Sequence, residues 1–380
     1  MTIFYRLFFN NILATREQLD LVDEITVEQE IDMAWEAQIK ILIATDDRGN
    51  WSAEDEEFLT EFTQVRVEIQ LRDGEFVPLI DGPIVESNDH RSSEPGQSMK
   101  TIVVQDDSVY LNRHNRIFRF EGLLDHEIAC KLFKEIDKNP CAIDKRPYVD
   151  IEDTPAPTAT SKLAVMQRGT AMQLLRSLAR RQGMHAYVLP GEEPGQSIMC
   201  FKPFPTQTDG LPPLILLGAQ RNLSEFTPTK NAQSPARVTG YSLSITDKTI
   251  TRRLSDFGRL DLLGEEPTFV DEENTANQIL SPQYGDTVDL DQAVAAATLE
   301  SSYSTQATGS VINDTYPAIL SPYRVVSVSG ANPSDSGNYL IRKVTHSLTR
   351  SYYSQTFALQ RNAQCSGLSG ELANLAESIF

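Results

Sequence analysis

The sequence predicts a mainly β fold with an α+β insertion, and three features point to it. From Asp23 to Ile43 the apolar positions Ile25, Val27, Ile31, Met33, Trp35, Ile39, Ile41 and Ile43 fall on odd numbers, the two-residue period of a strand with one buried face. In mid-chain, two stretches opening at Asp125 and Thr170 switch to the i, i+3, i+4, i+7 spacing of amphipathic helices. Near the end, Gly337 to His346 and Tyr353 to Asn362 return to β-branched and aromatic residues in alternation, two strands joined across Ser347 to Tyr352.

The elements follow in order. After the odd-numbered stretch comes an acidic turn region from Asp46 to Glu57, and Phe62, Val65, Val67, Ile69 and Leu71 then repeat the alternation. Asp73-Gly74 supplies a tight turn, and Phe76 to Val85 continues the sheet. Three or more antiparallel strands over so short a span predict a small barrel, bounded by a polar loop from Asn88 to Ser98 around Glu94-Pro95-Gly96. Met99 to Leu111 reads as a further strand. The first helix runs from an Asp125 cap through Ile128, Ala129, Leu132, Phe133 and Ile136. The second runs from a Thr170 cap through Ala171, Leu174, Leu175 and Leu178 to Gly183, with Arg176, Arg180 and Arg181 suited to its C-terminal end. Between them, Asp144 to Gly169 carries Arg146-Pro147 and Thr154-Pro155-Ala156-Pro157 and is expected to be extended. Met184 to Leu189 and Ser197 to Phe201 form strands around a Pro190–Gly195 turn. β-structure resumes near Leu214, a polar and acidic excursion occupies 250–288, Leu290 to Leu299 is helical, and Thr308 to Val311 rejoins the sheet. Ser366 to Phe380 is a small-residue tail with helical character from Glu371, and no short tandem repeat occurs.

At 380 residues the chain is expected to hold two or three domains. Acids outnumber bases 53 to 34, a net charge of −19, so stable binding to a phosphate backbone is not expected. The excess is densest in the first sixty residues (Asp23, Glu24, Glu28, Glu30, Asp32, Asp46, Asp47, Glu54 to Glu57). It reads either as a soluble, self-repelling surface or as the electronegative inner wall of a ring. Cys130, Cys141, Cys200 and Cys365 are widely spaced with no CxxC pair, as in reduced cytoplasmic proteins. The apolar start, Met1 to Phe9, is broken by Tyr5 and Arg6 and lacks a signal-cleavage site. No apolar run reaches the roughly 20 residues of a membrane span.

Local signatures of chemistry are sparse. HExxH, GxSxG, Walker A and GxGxxG are all missing from the chain. The acid pairs Asp106-Asp107 and Glu265-Glu266 read as solvated loop charge in preference to a glycosidase's carboxylates. His126 and Cys130, four apart on a helix with Cys141 beyond, could approach one zinc but lack a fourth ligand. His346 reads as a packed strand histidine. Trp35 and Trp51 read as core and rim aromatics, with sugar stacking as the alternative.

The terminal strands carry a resemblance. Gly337, Tyr339, Ile341, Val344 and His346, followed by Tyr353, Thr356, Phe357, Leu359, Arg361 and Asn362, resemble the "G-x-Y-x-V/I-x-x-V-x-H" and "Y-x-T-x-F-x-L-x-R-N" strands of the phage late control D and gp27-like family. These are the baseplate hubs of contractile tails and phage-tail-like injection systems. One departure is that Gln355-Thr356 sets Thr directly beside Phe357. Phe76 to Ile84 and Leu111-Asn112-Arg113 are similar to further family passages, as are Leu223 to Phe226 and Ala236 to Leu243.

The resemblance implies two tail-tube-like antiparallel barrels, at 1–98 and 207–363, flanking a middle α/β domain at 99–206, with a tail at 364–380. It implies a homotrimer whose six barrels adapt a three-fold spike to a six-fold inner tube, with wedge or LysM-type adaptor proteins outside and tape-measure protein or cargo in the lumen. The spike is expected on a separate polypeptide, because the chain ends about where a fused spike would begin. Synthesis in the bacterial cytoplasm without a signal peptide, residence in the assembled particle, no direct membrane insertion, no cofactor and no catalysis go with it. The subunit contacts are expected from the terminal hairpin (Tyr339, Ile341, Val344, His346, Tyr353, Phe357, Leu359, Arg361) and from the Ile31 to Ile43 strand (Ile31, Met33, Trp35, Ile39, Ile41). The competing readings are a baseplate-associated or cell-wall glycan hydrolase, with two carboxylates in a cleft, and a monomeric carbohydrate-binding β-protein.

Overall fold

The structure, a computed structural model, describes residues 3–364 apart from 46–50, 53–55, 137–145, 156–163, 244–247, 268–274, 281–288 and positions 73, 95, 135, 232, 235, 333 and 351. The expected tail helix, Cys141, Cys365, and the acids Asp46, Asp47, Glu54 and Asp55 lie outside the described residues.

β1 (Ile3–Phe9) and β2 (Ile12–Leu13) reverse on Asn10-Asn11, at φ 47° and 65°, the left-handed region that asparagine tolerates. Helix α1 (Arg16–Leu21) opens on a capping box: Thr15 Oγ1 accepts from the Gln18 amide, and Gln18 Oε1 accepts from the Thr15 amide. The odd-numbered stretch that follows is a hairpin instead of one strand, β3 (Val22–Glu30) and β4 (Glu36–Leu42). Asp32 at φ 58° makes the reversal, and its amide donates to Tyr323 Oη at 2.8 Å. Ile31 and Met33 therefore sit in a turn, and the expected Ile31 to Ile43 strand is corrected to Glu36–Leu42. The parity survives because Trp35 re-enters the same core as Val27.

β5 (Gln64–Leu71), β6 (Val77–His90) and β7 (Met99–Gln105) complete this part. β6 runs through the start of the expected Asn88 to Ser98 loop because its second half pairs with β7. After β7 the chain turns at Asp106-Asp107 into helix α2 (Ser108–Asn112), where the sequence had suggested strand.

The middle of the chain builds on two helices. β8 (Arg116–Glu121), α3 (Asp125–Phe133), β9 (Arg146–Ile151), β10 (Ala164–Gly169), α4 (Ala171–Gln182), β11 (His185–Pro190) and β12 (Gln196–Lys202) follow in order. α4 starts and stops where expected, on a Thr170–Gln173 capping box and on Gly183 at φ 68°. α3 is capped by Leu124. Asp125, its first residue, instead receives the guanidinium of Arg181 on α4. Ile128, Leu132 and Phe133 meet Leu175, Leu178, Phe201 and Met199 in one core, over a small sheet ordered β11-β12-β9. β8 and β10 form a separate two-stranded ribbon.

The last third contributes β13 (Leu214–Ile215), β14 (Leu223–Lys230), β15 (Ala236–Leu243), β16 (Ile250–Leu254), β17 (Glu266–Pro267) and β18 (Ala276–Ile279). Helix α5 (Leu290–Ser302), β19 (Thr305–Val311), β20 (Val325–Ser329), β21 (Gly337–Thr349), β22 (Tyr353–Arg361) and β23 (Ala363–Gln364) follow. The 250–288 excursion is more structured than its composition suggested. Its strands β16 and β18 flank β15, and α5 packs on one face of that three-stranded sheet.

One 13-stranded sheet joins the two ends of the chain in the order β14-β19-β22-β21-β3-β4-β7-β6-β5-β1-β2, with β13 and β20 branching from β21. Two cores lie on it. The first gathers Leu7, Val27, Trp35, Ile39, Ile41, Val67, Ile84, Ile102, Leu348 and Tyr353. The second gathers Leu214, Tyr316, Val326, Tyr339, Ile341, Val344, Phe357 and Leu359. The terminal hairpin β21–β22 feeds both.

Candidate functional site: the shared hairpin and its supports

β21 can serve two cores because of a local irregularity. Tyr339 and Ile341 point inward on odd numbers, while Val344, His346 and Leu348 point inward on even ones. The pairing with β22 shifts register between Ile341 and Lys343, a bulge that admits one extra residue and bends the strand. The two-residue gap between Ile341 and Val344 in the sequence is that bulge. On one side of it β21 pairs with β20, and on the other with β3.

A buried polar chain crosses the hairpin. Gln29 Nε2 donates to the Leu79 carbonyl at 2.7 Å, which turns Gln29 Oε1 toward His346 Nε2 at 3.3 Å. His346 Nε2 therefore carries the proton, and Nδ1 accepts from Tyr353 Oη at 2.8 Å. The chain ties β6, β3, β21 and β22 together. His346 is fully buried, and burial drives its pKa down to about 3, so the ring is neutral. Beside it, Gln355 Oε1 accepts from the Leu320 amide at 2.8 Å. Arg361 donates to the Ser336 carbonyl at 2.8 Å and lies over the Tyr339 ring.

On the opposite face Lys343 meets Glu28 at 2.9 Å, Arg342 meets Glu30 at 3.4 Å and Lys40 meets Glu24 at 2.7 Å. These half-exposed rungs each add at most about 0.5 kcal/mol. They show that β3 acids expected to repel are matched across strands.

The expected contact residues divide unequally. Trp35, Ile39, Ile41, Tyr339, Ile341, Val344, His346, Tyr353, Phe357, Leu359 and Arg361 are buried within the chain itself, and their strands have neighbours on both sides. Their side chains are spent on the chain's own cores. Ile31 is half-buried and Met33 is 58% exposed; both line a cleft of about 360 Å3 with Arg176, Arg180, Phe204 and Tyr303. At its wall Asp32 accepts from His185 Nδ1 at 3.0 Å, and the His185 ring stacks on Phe204. Burial would raise the Asp32 pKa, but His185, Arg176 and Arg180 outweigh it and hold the carboxyl below its ordinary value.

Two supports were not legible as such. Arg66, buried in β5, bonds Glu68 at 2.7 Å and Asp81 at 3.3 Å, and donates to the carbonyls of Glu192 and Glu193. It clamps the β11–β12 turn onto the sheet. Asp106 and Asp107, expected in solvent, are both buried. Asp106 accepts from the amides of Trp35 at 2.5 Å and Ser108 at 2.8 Å, and Asp107 meets Ser197 Oγ. Desolvation pushes Asp106 up to about 6. A turn that docks a domain must satisfy buried amides, and carboxylates do so. Gln29, a polar residue on the odd, apolar positions of its strand, was the available signal; Gln64, Arg66 and Glu68 alternate with Val65, Val67 and Ile69 and read as an ordinary solvent face.

His126, which lacked a fourth zinc ligand in the sequence, is engaged otherwise. His126 Nδ1 accepts from the Thr154 amide at 2.9 Å, fixing α3 to the segment after β9. Among the described residues no cluster of three His, Cys, Asp or Glu could hold a metal, and no helix is long and apolar enough to cross a membrane.

Comparison with solved structures matches this architecture across its length. A tail protein from Neisseria meningitidis MC58 aligns over 95% of this chain and 97% of its own, with a TM-score of 0.61 at 12% identity. The 43 kDa tail protein of prophage MuSo2 from Shewanella oneidensis aligns over 95% and 98%, with a TM-score of 0.61 at 14% identity. The chain has the fold of these tail proteins. A third structure makes the link explicit: the E. coli c3393 protein, a type VI secretion component described as similar to T4 tail proteins gp27 and gp5, aligns over 96% of this chain and 77% of its own, with a TM-score of 0.53 at 12% identity. No family model and no curated protein matches the chain. The gp27-like fold is thus held in three dimensions at identities where few positions coincide.

Proposed function

We propose that this chain is a structural hub of a contractile tail or phage-tail-like injection particle, a trimeric adaptor between a three-fold spike and a six-fold inner tube. The observation that carries the reading is the end-to-end match to two tail proteins, with two sheet cores on one continuous sheet. Two β-modules per chain, the first at 1–98 extended by β7 and the second at 207–363 with the α/β part between them, would make six in a trimer. Three-fold and six-fold partners could then meet on one ring.

The role is mechanical, without catalysis. The buried hairpin residues and the β4 residues act as frame: they fix the modules at a set angle through the β21 bulge, so the subunit contacts fall to residues that remain exposed, such as Met33. Tube, spike and wedge or LysM-type adaptor proteins are the partners, with tape-measure protein or cargo in the lumen.

Light scattering and electron microscopy of the purified chain test the proposal. A three-fold ring is expected. A persistent monomer across the micromolar range overturns it, and turnover of peptidoglycan by the purified chain would replace it with the hydrolase reading.

A further inference from the structure

Among the described residues, the three-stranded sheet β16-β15-β18 has one covered face and one open face. Val238 and Gly240 of β15 point at α5, where a Cβ on Gly240 would sit 2.7 Å from Val294 Cγ2, and Arg253 on that side meets Asp291 of α5. Residues paired across strands share a face. The register sets Tyr241 beside Arg252, Leu243 beside Ile250 and Thr239 beside both Leu254 and Ile279. The open face therefore presents Tyr241, Ile250, Leu254 and Ile279, which are 47%, 72%, 51% and 69% exposed. Arg252 lies among them. Among the described residues the face carries no carboxylate.

Four large apolar side chains on one small sheet face form a patch of the kind that marks an interaction surface. Its charge selects the occupant. Each copy carries −19, so copies repel one another overall, and a stable contact between them needs a locally basic, apolar patch set against acidic surface. We infer that this face docks against the acidic surface of a second copy of the chain and forms a subunit contact of the assembled ring. The inference rests on the trimeric reading above.

The test measures assembly by light scattering over a concentration series for the wild type, Ile250→Asp, Arg252→Glu and the control Ile117→Asp. The control changes an 85% exposed residue on the β8–β10 ribbon, away from this face. Ile250→Asp and Arg252→Glu should each weaken assembly at least ~10-fold, as expected for centrally placed contacts, with Ile117→Asp unchanged and helical and sheet content the same in all four. A wild type that assembles while both variants assemble equally well overturns the face and leaves the hub standing. An equal loss in Ile117→Asp also overturns the assignment. A wild type that never assembles overturns both readings. Should Ile250→Asp misfold, Arg252→Glu decides alone, because an exposed charge reversal leaves the core untouched.

Discussion

Replacing His346 by leucine should reveal how strongly the buried polar chain locks the hairpin to the N-terminal sheet. Leucine fills a similar space but leaves Gln29 Oε1 and Tyr353 Oη without the partners they have at 3.3 and 2.8 Å. Two buried polar groups stranded in this way cost about 2–4 kcal/mol together at pH 7. The pH dependence supplies a second, independent signature. The native pKa of about 3 lies below the unfolded value near 6.5, so the unfolded chain binds a proton that the native ring refuses. His346 therefore withdraws stability from the wild type as pH falls from 7 toward 3. Leucine cannot titrate, so the stability gap between wild type and His346→Leu should be about 2 kcal/mol smaller at pH 5 than at pH 7. Urea unfolding of both proteins at the two pH values measures it. A gap that does not change with pH would refute the buried neutral ring, and a gap near zero at pH 7 would refute the network. Tyr353→Phe in the leucine background should recover about 1 kcal/mol, since it removes one of the stranded groups.

Asp106 should act in the opposite sense. Its pKa of about 6 lies above the unfolded carboxyl value, so its contribution is full below pH 4 and is lost as pH rises through 6. Relative to Asp106→Asn, the wild type should lose about 2.4 kcal/mol between pH 4 and 7 in urea titrations. Only the differences between variants separate this slope from that of His346, because the two nearly cancel in the wild type between pH 4 and 6. Arg66→Met should destabilise by about 3–5 kcal/mol by removing the buried counter-charge of Asp81 and Glu68; limited proteolysis should then cut at the β11–β12 turn that Arg66 holds. Gly309→Ala places a Cβ 2.4 Å from the Glu225 carbonyl oxygen and 2.7 Å from Phe357 Cζ. Melting should reveal a loss of about 2–3 kcal/mol.

Period-two alternation made the strands readable, and it did so even across the β3–β4 reversal, because Trp35 returns to the core that Val27 enters. What it could not convey was the reversal itself. Asp32 takes a left-handed conformation stabilised from outside, by Tyr323 and His185, which lie far along the chain. The bulge in β21 was visible as a skipped beat between Ile341 and Val344, and its consequence, a strand bent between two cores, needed the pairing with both β20 and β3. The capping box and glycine stop of α4 are local devices and were legible outright. The Asp106-Asp107 docking turn was not, since two adjacent acids look the same in a sequence whether water or backbone amides satisfy them.

Alternation reports that a side chain is buried without reporting by what, so residues buried within the chain itself read the same as residues buried between subunits. Tyr339, Val344, Phe357 and Ile39 have the pattern of an interface strand, yet the chain's own two cores consume them. The reverse ambiguity hid the open face of β15. β16 and β18 have five and four residues, and Ile250, Leu254 and Ile279 are spaced among Glu265, Glu266 and Asp271, so the window's composition read as polar excursion. In an acidic chain proposed to pack against copies of itself, the useful signal is local: apolar residues at strand spacing with arginine among them and no acid on the same face. Arg252 between Ile250 and Leu254 meets that description, and the charge reversal at position 252 tests whether it marks a contact.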